Sequence, residues 1–305
     1  MACLGKCHMT ILNKLYEKKL ICPPQIVLSN TQYLCIMGSV AYGCNTDDSD
    51  MDIYGYAIPK LEDIFPHLRG DIPGFGTQKQ NFEQYQQHGI VDGKKNYDFT
   101  IYSIIKYFQL CLDNNPNMLD SLFVPQNCVV HNTKIAQMVR ENRKIFIHKG
   151  CYHKLKGYAY SQLHKMGLKN PQKGSKRAAD VEKHGFDCKF AYHVIRLMDE
   201  CEQLLSLGEM DLQRGKEIFK AIRRGEVSPE EITEIFNDKE KYLQKLYEES
   251  KLPWGSQEVE PQVKQLLINC LEEQYGSLEK FNFTSPDKYK IAVDKIQDII
   301  YNLMV

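Results

Sequence analysis

The stretch YLCIMGSVAYGCNTDDSDMDIYGYAIP, from Tyr33 to Pro59, decides the fold. An apolar run, Leu34 to Met37, enters a Gly38-Ser39 turn. About ten residues later Asp50 and Asp52 open a second apolar run, Ile53 to Ile58. Residues i and i+2 of a strand point to the same face, so the two carboxylates stand side by side next to a small turn. Hard divalent cations prefer carboxylate, water and phosphate oxygen. A Gly-Ser turn leaves backbone N–H groups and a hydroxyl for phosphate, and Ser49 sits beside the first acid. Asp-x-Asp alone is usually a solvated strand end and Gly-Ser alone an ordinary turn; the spacing and strand-like flanks together make the pattern specific.

The chain has 305 residues, room for two domains. Hydrophobic and charged contents of 43% and 26% are those of a globular protein. No apolar run is long enough for a membrane span, and no secretory signal is expected from the charged N-terminal stretch. The expected location is cytoplasmic, with no membrane partner. The 11 cysteines are scattered without a C-x2-C pair, which excludes zinc-ribbon and thioredoxin-like readings. Buried free thiols, with no disulfide-linked partner, are expected. Zero net charge argues against a bulk electrostatic nucleic-acid binder. Charge is uneven, however: residues 151–200 carry ten Lys/Arg against five Asp/Glu, and residues 226–305 nine against sixteen. A polyanion is expected to meet the middle of the chain.

The pattern predicts a helix over 9–20, strands at 34–37 and 51–58, and a loop insertion from Pro66 to Lys95. A third strand is expected at 97–102 and a helix from Ser103 to the break at Asn114-Asn115-Pro116. Helices are then expected over 132–146, 151–166, 179–207, 211–225, 229–249, 258–275 and 286–303. Ser228-Pro229-Glu230-Glu231 is a strong helix start. These elements predict an α+β chain, a mixed α/β part over 1–128 followed by an all-helical domain over 129–305. Trp254, in KLPWGS, is read as a loop anchor.

The third strand supplies Asp98. Beside Asp50 and Asp52 it would complete a trio whose mutual repulsion calls for cations. Two Mg2+ ions, or Mn2+ in their place, would orient a nucleoside triphosphate there, and Asp98 is the expected acceptor of a hydroxyl proton. Farther along, Lys189, His193 and Arg196 share one helical face by spacing. Lys as a point charge and Arg as a fork could grip a triphosphate, although a solvated basic face pairing with Asp187 or Glu200, and a structural His193, compete with that reading. The loop Lys169 to Arg177 has four basic residues and no acid, and suits a phosphate backbone or a solvated loop equally. Tyr158, Tyr160 and Gln162 are candidates for a stacking ring or a base contact, although packing is the stronger reading of Tyr160 and Leu163.

Gly-Ser, about ten residues, Asp-x-Asp and a later strand Asp resemble the DNA polymerase beta nucleotidyltransferase superfamily. SDMDIYGYAIP, YDFTIYSIIKYFQLCLDNNPNMLDSLFVP, KGYAYSQLHKM and GFDCKFAYHVIRLM together resemble its nucleotidyltransferase family associated with RNA ligases in RNA repair, over most of residues 33–225. The resemblance implies a polymerase-beta-like core of mixed sheet and helices, followed by a helical domain. It implies Mg2+-dependent transfer of a nucleotide from ATP or another NTP to an RNA end, tRNA included. Asp50, Asp52 and Asp98 would be catalytic and metal-binding. Gly38, Ser39, Ser49, Lys189, His193 and Arg196 would hold nucleotide and phosphate. A protein or small-molecule acceptor, or a non-catalytic nucleotide-binding module, are the alternatives.

Overall fold

A computed structural model describes residues 10–46, 49–72, 74–77, 80–167 and 176–277, with a few positions between 293 and 303. The basic loop from Lys169, the side chains of Lys176 and Arg177, and most of the helix expected over 286–303 lie outside the described residues.

Helices α1 (Ile11–Glu17) and α2 (Gln25–Asn30) lead into strand β1 (Thr31–Ile36). The short turn α3 (Gly38–Ala41) and strand β2 (Met51–Ala57) follow, then α4 (Leu61–Ile64), β3 (Gln84–Asp92) and β4 (Lys95–Ser103). Helices α5 (Ile104–Leu112) and α6 (Pro116–Phe123) precede β5 (Val129–Asn132). The helices described after β5 are α7 (Lys134–Glu141), α8 (Gly150–Met166), α9 (Lys176–His184), α10 (Cys188–Leu207), α11 (Lys216–Arg223), α12 (Pro229–Glu249) and α13 (Ser256–Tyr275).

The five strands form one mixed sheet in the order β3-β4-β2-β1-β5. β2 and β4 run parallel at its centre; the other neighbours are antiparallel. Central strands need apolar residues on both faces, and the sequence supplies them. Leu34, Ile53, Phe99 and Ile101 pack on one face against Leu12, Leu15 and Val27 of the N-terminal helices. Tyr33, Cys35 and Tyr56 pack on the other. That second interior continues without a break through Phe108, Leu155, Leu197 and Phe236 to Leu271, so sheet and helices share it. Eight of the nine described cysteines are buried, all nine are free, and burial pushes the Cys35 thiol up to about 12.

Several expectations are corrected. Part of the expected loop insertion is β3, an edge strand; its outward Gln84, Gln86 and His88 are exposed, which masks the apolar alternation. The register also shifts between Gln87 and Ile90, where Gly89 takes a positive φ of 66°. β5 follows the expected boundary at 128/129 yet pairs with β1. The single helix expected over 179–207 is two, because Gly185 adopts φ 83° and Asp187 caps α10 by accepting from the N–H groups of Lys189 and Phe190. Asn115, with Pro116 as the first helical residue, caps α6. Ser228 and Glu231 form the capping box of α12 that its sequence promised. Trp254 is 64% exposed, with the Lys149 ammonium 3.9 Å from its ring centre.

Candidate active site

Strand register builds the site. In the parallel pair, Asp52 lies level with Asp98, and Met51 with Tyr97. Both acids therefore project from the same face, the one turned toward the helical half. Asp50 stands just ahead of β2, within electrostatic reach of Asp52. At the adjoining end of β1, the Met37 N–H donates to the Asp52 carbonyl at 2.7 Å, which ties the turn to the strand.

Gly38 opens α3 with φ 64°, a conformation that favours glycine. It also lies against Asp52: a Cβ at this position would overlap Oδ2 of that carboxylate. Ser39 is half-buried beside it. The turn is held from behind by the helical half. Gln213 donates to the Ala41 carbonyl at 3.2 Å, and Arg223 to the Cys44 carbonyl at 2.8 Å, with its guanidinium 5.6 Å from the Tyr192 ring centre. Ser49 folds the loop locally: its hydroxyl accepts from the Thr46 N–H at 2.9 Å.

Burial raises the Asp52 carboxyl above its usual range. Lys189 opposes that rise, whereas Asp98 and Asp50 add to it and His88 lowers it. The remaining acids each have a local partner. Asp98 Oδ1 accepts the Gly89 N–H at 2.7 Å, and its Oδ2 is 3.5 Å from His88 Nδ1. Asp50 Oδ1 accepts from Asn96 at 3.2 Å. Among the described residues no three His, Cys, Asp or Glu side chains close around one point. The oxygens nevertheless make a hard donor set, and the half-buried Asp52, crowded by two other acids, is the charge arrangement a divalent cation offsets. The residues fit such an ion once the exposed Asp50 and half-exposed Asp98 carboxylates turn from their local partners toward Asp52.

The helical stripe is divided. Lys189 is exposed in the first turn of α10 and near enough to Asp52 to lower its carboxyl. His193 is half-buried, with its ring 4.2 Å from that of Tyr192. Arg196 does not join them at an open surface. It is 2% exposed and donates to Asp120 Oδ2 at 2.5 Å and to Glu200 Oε1 at 2.6 Å. Its guanidinium lies over the Tyr42 ring, and the Tyr42 hydroxyl donates to the same Asp120 oxygen at 2.6 Å. Arg196 is thus a strut between α10, α6 and the end of α3: its spacing aligns it with Lys189, but its side chain is buried. His88, Gly89, Asn96, Gln213 and Arg223 carried no sequence signal, since each meets the site only through long-range packing.

The sequence pattern that defines the RNA repair pathway DNA polymerase beta family matches residues 16–281. An uncharacterized 38.9 kDa protein of Enterobacteria phage T4, from the nrdC-mobD intergenic region, is 30% identical over 144 residues. That match spans 47% of this chain and 39% of the phage protein. A solved nucleotidyltransferase-like protein from Exiguobacterium sibiricum 255-15 aligns over 79% of this chain and 80% of its own at 11% identity. Its TM-score of 0.28 is too low for the likeness to say more about this chain.

Proposed function

The chain belongs to the RNA repair pathway DNA polymerase beta family, and from that premise we propose that it moves a nucleotidyl group from a nucleoside triphosphate to a hydroxyl of an RNA end. The observation that carries this reading is the level pairing of Asp52 with Asp98 beside the Gly38 turn. An acceptor hydroxyl oxygen would attack the α-phosphorus. The bond from that phosphorus to the oxygen bridging to the β-phosphate would break, and pyrophosphate would leave. The hydroxyl proton would pass to Asp98, whose side chain is 34% exposed. Gly38 would let the α- and β-phosphates approach the turn, with the Ser39 hydroxyl as a donor. Lys189 would meet the phosphates as a point charge. Asp50, Asp52 and Asp98 would hold Mg2+ or Mn2+, whose charge would offset that of the triphosphate and the leaving pyrophosphate. Arg196 has no part in gripping phosphate.

The test incubates purified protein with each α-labelled NTP, Mg2+ and either total RNA, including tRNA, or total protein. Label is expected in RNA, and Asp52→Ala should remove it while the circular dichroism spectrum is kept. Equal labelling by Asp52→Ala would sink the assignment of the acids, and label confined to protein would sink the RNA acceptor.

A further inference from the structure

Beyond the acids, the same face of the sheet continues as a row of aromatic and amide side chains. Tyr54 follows Asp52 by two positions on β2. Tyr102 follows Asp98 by four on β4, about 13 Å along the strand. On the edge strand, Gln86 pairs with Thr100 and Gln84 with Tyr102, so both amides point to this face. Tyr54 and Tyr102 are half-buried, and Gln84 and Gln86 are exposed.

Helix α8 borders the row. Its Tyr158 is 37% exposed. It lies within electrostatic reach of Tyr54. Lys165, seven positions on and on the same side of α8, is exposed, with its ammonium 6.0 Å from the Phe190 ring at the start of α10. The row thus presents ring surface, two amides that can both donate and accept, and a cation toward the acid end. Its described side chains are rings, amides and a cation, which suit a polar ligand better than an apolar peptide. Half-buried rings also cannot reach bases that are stacked and paired inside a duplex. Unpaired bases fit this chemistry: any base can stack on a tyrosine, and amides can read its edge.

We propose that this row binds the unpaired terminal nucleotides of the RNA acceptor, stacked at Tyr54, Tyr102 and Tyr158 and touched along their edges by Gln84 and Gln86. The proposal rests on the nucleotidyltransferase reading and names where its acceptor lies; the terminal hydroxyl then arrives at Asp98.

Binding without turnover tests it. A fluorescein-labelled short single-stranded RNA is titrated with Asp52→Asn protein, and anisotropy is followed. Adding Tyr102→Ala or Tyr158→Ala is expected to weaken binding about tenfold each, on the scale of one lost base stack. Gln86→Ala, at an exposed position that the core does not need, should weaken it about threefold to tenfold. A blunt duplex should compete poorly. Unchanged affinity in Tyr158→Ala and Gln86→Ala, equal competition by duplex, or no RNA binding by folded protein each overturns the proposal. Label transfer, measured separately in protein with Asp52 intact, judges the reaction. Transfer with affinity unchanged across the row variants sinks the row alone; weakened binding in those variants, with no transfer by the intact protein, sinks the reaction alone.

Discussion

Glycine at position 38 answers two demands, a positive φ and a carboxylate packed against its α-carbon. Gly38→Ala meets neither. It is expected to cut label transfer by at least about tenfold through displacement of Asp52, while costing about 1 kcal/mol or more of stability; full transfer in a folded variant would refute the packing account. The neighbouring acid has its own signature. Burial raises the Asp52 carboxyl, so the folded chain keeps a proton there to higher pH than the unfolded chain does. Its charge then opposes folding above the ordinary carboxylate range, and the opposition fades as pH falls into that range. Asp52→Asn should raise the melting temperature of metal-free protein at neutral pH, by a margin that narrows toward about pH 4. A lower melting temperature at neutral pH would count against burial as the cause. Arg196 is the opposite kind of residue, an interior charge with two carboxylates on it. Arg196→Met should cost about 3–5 kcal/mol in urea unfolding, because Asp120 and Glu200 are left uncompensated; a loss under about 1 kcal/mol would mean the strut holds little.

At the scale of elements, the central strands were legible because their apolar runs and the Asp-x-Asp spacing are local. The level pairing of Asp52 with Asp98 needed only two neighbouring parallel strands. β3 was not legible: polar side chains on an edge and a bulge at Gly89 erase the period that marks a strand. The depth of Arg196 was equally hidden, since helical spacing gives a direction but not a neighbour, and Asp120 and Tyr42 come from distant segments. The start of α10 was read through, although Gly185 and Asp187 are ordinary stop and start signals. That start orients Lys189. Asp187→Ala removes an acceptor for two backbone N–H groups and should cost about 1 kcal/mol. It should also raise the KM for NTP more than it lowers kcat, and an unchanged KM would separate the cap from the site.

For the molecule as a whole, one guanidinium facing two buried carboxylates shapes the response to acid. Burial is the main cause that raises both Asp120 and Glu200, against the pull of Arg196. The folded chain therefore binds more protons there than the unfolded chain, and this cluster's contribution to stability falls as pH rises from the carboxylate range toward neutrality. Glu200→Gln is expected to flatten that slope in urea midpoints measured between about pH 4 and pH 7; an identical slope in the variant would place the proton elsewhere. No helix among the described residues is long and apolar enough to cross a membrane.

The interior that runs unbroken from Tyr33 of the sheet to Leu271 of α13 has a consequence for engineering and for descent. The helical portion is not a cassette. Exchanging it for another would strip the inner side of the strands and loosen the Gln213 and Arg223 clasp on the glycine turn. Changes in what this protein recognises are therefore expected to arise by substitution along exposed rims, and not by shuffling of its halves.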